Sequence, residues 1–131
     1  MTDFEFLDAL WELFTGDEEL VALLGIESEE DYSYKIRQAN VEERGFDADK
    51  LPMVACWFMG SDETFNDFVN QGYLCIDVYT EDVGVAKEIV KRIVTLIHDE
   101  FNIRVKGGGQ YQSELTPIYK YRVVFKPLVF T

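Results

Sequence analysis

The sequence predicts an α+β fold, in which a mainly antiparallel sheet carries one long amphipathic helix on one face and short helices at the N-terminus. Apolar residues recur at helical spacing near the N-terminus and again between residues 83 and 101. Several other segments alternate with a period of two, as strands do. Because 131 residues is a common size for one folding unit, we predict a single domain over residues 1–131.

Two short helices are predicted first. Apolar residues at steps of three and four share one side of the first helix: Phe4, Leu7, Leu10, Trp11 and Phe14. The second helix runs from Glu18 to Leu24. Thr15 or Asp17 can cap its N-terminus, and Gly25 can end it.

Three strands are predicted in the middle of the chain. Residues 32–39 alternate large apolar with polar side chains, which is typical of a half-buried strand. Residues 53–59 are apolar on both faces, which favours a central strand. Residues 73–80 alternate aliphatic residues with a face that includes Asp77.

The segment from Val83 to Phe101 has the clearest helical pattern. Its apolar stripe would cover the sheet and consists of Ala86, Ile89, Val90, Ile93, Leu96 and Ile97.

The C-terminal part predicts a short strand at residues 103–105 and a turn at the glycine run 107–109. A last strand is predicted at residues 118–126, where Pro127 would end regular pairing. If this strand neighbours residues 73–80, Asp77 can pair across the sheet with Lys120 or Arg122.

Composition excludes several classes of protein. A formal charge of −13 repels phosphate backbones and anionic lipids, so we expect no nucleic-acid binding through a basic face. The first residues are acidic where a targeting signal needs bases, and no apolar run approaches the ~20 residues that span a bilayer. We therefore expect a chain that stays in, or assembles from, the cytosol. Cys56 and Cys75 lie in predicted strands without metal or redox spacing and are predicted to be reduced packing residues.

The residues that carry chemistry form no catalytic pattern. His98 is the only histidine and is predicted to be solvated near the end of the long helix. The acidic clusters do not fit the spacing of a calcium loop, so we interpret them as surface acids or helix starts. The glycine run lacks the spacing of a phosphate-binding loop. We therefore predict a protein that is not an enzyme and has no catalytic, cofactor or metal site.

Two apolar segments stand where solvent is expected. The connector "GSDETFNDFVNQG" (residues 60–72) and the terminus "PLVFT" both interrupt polar surroundings with large apolar side chains. Their members are predicted interface residues: Phe65, Phe68, Val69, Leu128, Val129 and Phe130. The alternative is that either segment folds back over its own core.

Several segments together resemble those of one protein family. They are the opening "DEELVALLG", the proline-led strand at residues 51–59, the step "TEDVGVAKEIV" from acids into a helix, and the closing "YKYRVVF". Over nearly its whole length the chain resembles the tail-terminator or tail-completion proteins of long-tailed bacteriophages.

This resemblance implies a structural subunit of a ring, expected to be hexameric, that ends the growth of the tail tube and offers the surface that docks to the head. The implied partners are further copies of the chain, the tail tube protein and a head-completion or neck protein. The implied location is the tail or neck of a virion assembled in the bacterial host cytoplasm. The family contributes no catalytic residues. An acidic ring also repels itself, so assembly is expected to respond to salt or Mg²⁺.

Two other hypotheses for the function stay open. One is a head-completion or connector protein of the phage neck, which also forms rings. The other is a small cytosolic protein-binding module that uses the outer sheet face, with Trp57, Tyr73 and Tyr79 as contacts.

Overall fold

The computed structural model describes residues 2–39, 50–63, 69–111 and 118–130. The predicted α+β class is confirmed. In chain order the elements are α1 (Asp3–Thr15), α2 (Glu18–Leu24), α3 (Glu29–Lys35), β1 (Ile36–Arg37), β2 (Met53–Glu63), β3 (Val69–Thr80), α4 (Val83–Phe101), β4 (Gly107–Tyr111), β5 (Tyr119–Phe125) and β6 (Leu128–Phe130).

One sheet contains all six strands. Its order is β1-β2-β3-β5-β4, and every neighbouring pair is antiparallel except β1 with β2. The sixth strand, β6, also pairs with β3 and continues the register of β5. Leu74 pairs with Phe125, and Gln71, three residues earlier, pairs with Leu128, three residues later. Pro127 therefore interrupts the pairing without ending it, and its carbonyl accepts a hydrogen bond from the Gly72 N–H at 2.9 Å.

The main core lies between the sheet and the helices. Strands β2, β3 and β5 contribute Val54, Cys56, Leu74, Ile76, Val78, Val123 and Phe125 to it. The long helix α4 covers them with Ala86, Ile89, Ile93 and Ile97, while Val90 and Leu96 are partly buried, so the predicted stripe is confirmed. On the opposite face a smaller cluster buries Met53, Ala55, Tyr79 and Ile118.

Both predicted N-terminal helices are present, and α2 has the predicted bounds, Glu18–Leu24. Asp17 caps α2 by accepting a hydrogen bond from the Leu20 N–H at 2.9 Å, and Gly25 ends it with a left-handed φ of 67°. The prediction for Phe4 is wrong, because this side chain is 74% exposed. Phe6 is buried in its place, and Phe4 lies roughly 100° around the helix axis from the middle of the buried line.

The strand predicted at residues 32–39 is wrong for most of its length. Residues 29–35 form α3, and β1 keeps only two residues. Three acids in the first turn of α3 suit the positive end of the helix dipole. At its other end the buried Lys35 donates a hydrogen bond from Nζ to the Leu24 carbonyl at 2.7 Å, and burial lowers the pKa of Lys35. Lys35 thereby satisfies the last turn of α2, a contact that alternation in sequence does not reveal.

The region after α4 also differs from the prediction. Residues 103–105 are not a strand, and the glycine run predicted as a turn forms the start of β4. Gly108 and Gly109 have φ values of 150° and 155°, which side chains other than glycine rarely adopt. A Cβ on Gly108 would collide with the Arg122 carbonyl oxygen. The glycines therefore allow this edge strand to approach β5 closely.

Candidate interaction surface

The connector predicted as a long loop is mostly an extended β-hairpin. After a register shift between Phe58 and Ser61, β2 continues to Glu63 and pairs with the beginning of β3. The C-terminal strand β6 then pairs with the same part of β3, with Val69 opposite Phe130 and Gln71 opposite Leu128. We call residues 61–63, 69–72 and 128–130 the hairpin arm. The two segments that sequence singled out for their apolar residues thus meet in one small sheet.

The hairpin arm contains four of the six predicted interface residues. Val69, Val129 and Phe130 lie in its strands, and Leu128 is 65% exposed. Phe65 and Phe68 lie outside the described residues. β4 pairs only with β5, and among the described strands none pairs with the outer edge of β6. That edge offers backbone donors and acceptors to a further strand, and the role of these residues in an interface stays a prediction.

A groove of about 660 Å³ opens beside this arm. It lies between α1, the end of α4 and the turn from β5 to β6, and we call it the C-terminal groove. Its lining consists of Phe6, Phe101, Asn102, Ile103, Arg104, Lys106, Lys126, Pro127 and Leu128. The lining combines large apolar side chains with three cations and, among the described residues, includes no acid.

The end of α4 positions the basic side of the groove. Asn102 takes a left-handed φ of 55° and donates its N–H to the His98 carbonyl at 2.9 Å, which stops the helix. The chain then turns toward β5, where the Lys106 N–H donates to the Val124 carbonyl at 2.8 Å. The Phe101 ring packs on Phe6 with centroids 4.7 Å apart and forms an apolar wall. Arg104 and Lys106 are both exposed on the connection between these fixed points.

The outer sheet face is organised by a buried ion pair. Asp77 has no exposed surface and accepts hydrogen bonds from Arg122 Nε at 2.6 Å and from Arg122 Nη2 at 3.1 Å. Trp57 Nε1–H also donates to Asp77, at 2.9 Å, and the Arg122 guanidinium lies 5.0 Å from the Trp57 ring centroid. The predicted pairing of Asp77 with Arg122 is confirmed, since the two residues are opposite each other in register.

The residues proposed as contacts of a binding module on the outer sheet face are buried or engaged within the chain. Tyr79 is fully buried, and Lys120 lies 5.4 Å from its ring centroid. Trp57 is held by Asp77 and Arg122, and the half-buried Tyr73 has Lys126 at 4.5 Å from its ring centroid. Of the three proposed contacts of a binding module, Tyr79 is therefore inaccessible and the other two are engaged within the chain.

A second ion pair joins the helices to one another. Arg92 of α4 donates from Nη2 to Asp17 Oδ1 at 2.6 Å and from Nε to Asp17 Oδ2 at 2.9 Å. The hydrogen bond from Arg92 holds the pKa of Asp17 below its usual value. Asp17 therefore acts twice, as the cap of α2 and as the anchor of α2 on α4.

The remaining candidate groups lie where sequence placed them. His98 is exposed in the last turn of α4, with Nδ1 3.6 Å from Asp99. Cys56 and Cys75 are free and buried as predicted, and burial raises the pKa of both thiols. Within the described residues no group of three or more His, Cys, Asp and Glu is arranged to hold a metal ion. The described helices also include none with the length and apolar character needed to cross a membrane.

Comparison with known proteins finds similarity among solved structures. Neither the family models nor the curated proteins match this chain. Among solved structures, the fold is similar to that of a chain in the virion of a native gene transfer agent (GTA) particle, with a TM-score of 0.62. The two chains are 13% identical, and the match covers 93% of this chain and 92% of the other. The likeness thus shows a shared fold over almost the whole of both chains.

Proposed function

We propose that this chain is a structural subunit of a phage or phage-like particle and forms the ring that ends the tail tube and docks it to the head. The observation that carries the proposal is the fold shared with a chain of a GTA virion, a phage-like particle, over 93% of the length. The resemblance in sequence to tail-terminator proteins supports the same role independently of that match.

The surface of the molecule is suited to a ring. Subunits of a ring need two different complementary surfaces, one for each neighbour. Among the described strands none pairs with the outer edge of β6 in the hairpin arm, and the C-terminal groove lies next to that edge. A net charge of −13 would keep the wall of a DNA-conducting channel from holding phosphates.

The proposed partners follow from the position of such a ring. On one side it meets the last layer of tail tube protein, and on the other a head-completion or neck protein. Further copies of the chain, expected to total six, complete the ring. The same fold and ring would also suit a head-completion or connector protein, so the two roles need a test that separates them.

Disruption of the gene in the source strain distinguishes the tail-terminator role from the head-completion role. A stop codon early in the reading frame removes the protein, and electron microscopy then measures the particles. If the ring ends tube growth, tails without it grow beyond their normal length and stay detached from heads. Tails of normal length beside unattached heads would instead favour the head-completion role. Normal, infectious or gene-transferring particles would contradict both and favour the binding module. A plasmid copy of the gene is the control and restores normal tails.

A further inference from the structure

The two ends of this chain carry opposite charge. No Lys or Arg occurs in residues 1–34, and the acids of that stretch are Asp3, Glu5, Asp8, Glu12, Asp17, Glu18, Glu19, Glu27, Glu29, Glu30 and Asp31. Residues 101–131 hold one acid, Glu114, and the bases Arg104, Lys106, Lys120, Arg122 and Lys126. Three of these five bases line the C-terminal groove. In a chain of charge −13, the groove is therefore a local basic site.

An exposed aromatic residue stands at the acidic end. Phe4, in the first turn of α1, is 74% exposed and is the most exposed of the large apolar side chains described. Asp3 and Glu5 flank it in sequence, and Asp8 lies one turn further along the same helix. Thr2 caps the helix by accepting a hydrogen bond from the Glu5 N–H at 3.2 Å, so this turn has a fixed shape. We call Phe4 with Asp3, Glu5 and Asp8 the acidic knob.

The knob and the groove lie on different sides of α1. Phe6 lines the groove, and two residues along a helix are separated by roughly 200° around its axis. Phe4 therefore points away from the groove of its own chain. A contact between the two needs a second copy of the chain, and it is head-to-tail when each copy uses its knob toward one neighbour and its groove toward another. Such head-to-tail contacts generate rings or filaments.

We propose that the C-terminal groove binds the acidic knob of a second copy of this chain, with Phe4 seated on the apolar lining and the carboxylates facing Arg104, Lys106 and Lys126. The inference rests on the proposed ring function and names the contact that builds the ring. A volume of about 660 Å³ falls within the roughly 300–1,000 Å³ of sites that hold small molecules, which leaves room for an aromatic ring. Charge and apolar surface are complementary in the same place, as at the centre of specific interfaces.

Sedimentation velocity on the purified chain, over a wide concentration range, tests the apolar part of the contact. Phe4→Ser is expected to weaken self-association about tenfold or more, because it removes the anchor from the apolar groove. Met59→Ser is the matched control, since Met59 is also exposed but lies on the outer sheet face away from the groove. Equal association of Phe4→Ser and the parent would overturn the proposal. So would a parent that stays monomeric up to about 1 mM.

Charge reversal tests the polar part. Arg104→Glu/Lys106→Glu is expected to abolish association. The control, Lys87→Glu/Lys91→Glu, makes the same change in net charge at exposed sites of α4 outside the groove. Its self-association should stay near that of the parent. Equal loss in both would show that total charge decides association and would overturn the proposed site.

A mixing experiment identifies the occupant. Asp3→Lys/Glu5→Lys reverses the knob, and this variant alone should also fail to associate. When this variant is mixed with Arg104→Glu/Lys106→Glu, the knob of each variant meets a groove of opposite charge on the other. The mixture is therefore expected to regain assemblies of the parent's mass. Two inactive variants that stay monomeric together would rule out the second copy as the occupant. The result is separable from the proposed function, since these proteins are assayed without particles and the gene disruption is scored on particles.

Discussion

The two faces of the sheet are stabilised in different ways. The face under the helices buries an aliphatic and aromatic core that α1, α2 and α4 cover, with Phe14 and Ile93 fully enclosed. The outer face buries a charge at its centre, where Asp77 is held by Arg122 and Trp57. The first face is stabilised mainly by removing apolar surface from water, and the second by the ion pair and hydrogen bonds of a buried carboxylate. The first tolerates changes of shape poorly, and the second tolerates changes of charge poorly.

Truncation in the helix-covered core should have the largest effect. Phe14→Ala is expected to lower the free energy of unfolding by about 3–5 kcal/mol, because it leaves a cavity at a fully buried position. Phe4→Ala makes the same chemical change on the same helix at an exposed site and should cost under about 0.5 kcal/mol. Urea denaturation of both variants measures the difference, and similar losses would contradict the assignment of the buried side of α1.

Removal of one partner of the outer-face ion pair should have the second largest effect on the free energy of unfolding. Asp77→Val leaves the largely buried Arg122 without its carboxylate and is expected to cost about 3 kcal/mol. The double variant Asp77→Val/Arg122→Leu removes both charges and should be more stable than the single variant. Denaturant unfolding of the two gives the sign of the difference. A double variant that is less stable than Asp77→Val would show that this face is also stabilised mainly by close packing.

Two neighbouring glycines in the edge strand β4 differ in backbone conformation and in the space around them. Gly108→Ala is expected to cost about 1–3 kcal/mol, because its φ is 150° and a Cβ would meet the Arg122 carbonyl. Gly107→Ala, its neighbour, has no atom within 4 Å of the new Cβ and no positive φ, so it should be neutral or slightly stabilising. Thermal unfolding compares them, and equal effects would argue against the close approach of β4 and β5.

The ion pair between α2 and α4 should have the smallest effect and a defined pH dependence. Its partners are partly exposed, so near neutral pH Arg92→Met is expected to lower the free energy of unfolding by less than the substitutions above. Because the pKa of Asp17 is lowered in the folded state, its contribution is present above the unfolded value of 3.8 and is lost as the pH falls through the folded pKa. The gap between parent and Arg92→Met should therefore close on acidification below that value. Lys91→Met is the control, and a gap that is independent of pH would refute the linkage.

Local signals in the sequence predicted the parts of the fold that depend on neighbours along the chain. Asp17, one of two predicted caps, and Gly25 mark the ends of α2, and the stripe of α4 marks its buried side. Of the two predicted partners of Asp77, Lys120 and Arg122, the structure has Arg122. These features follow from capping, periodicity and strand alternation within short windows.

The features that the sequence did not predict share a different cause, which is contact between segments that are distant in the chain. Lys35, the last residue of α3, bonds a carbonyl of α2, and Gly108 lies in a strand that approaches β5 closely. The hairpin arm exists where residues 69–71 meet β6, almost sixty residues later in the chain. The C-terminal groove likewise unites α1, the end of α4 and the β5–β6 turn. The charge difference between the two ends of the chain is a sequence signal that the prediction did not use.

Quantitative mass spectrometry of particles purified from the source strain tests whether this chain is a structural subunit of a phage-like particle. After density-gradient purification and protease treatment of the exterior, a ring subunit should remain in the particles at a few copies each, in constant ratio to the tail tube protein. We expect this ratio in every fraction that contains particles. A chain that is abundant in the cell lysate and absent from the purified particles would contradict it.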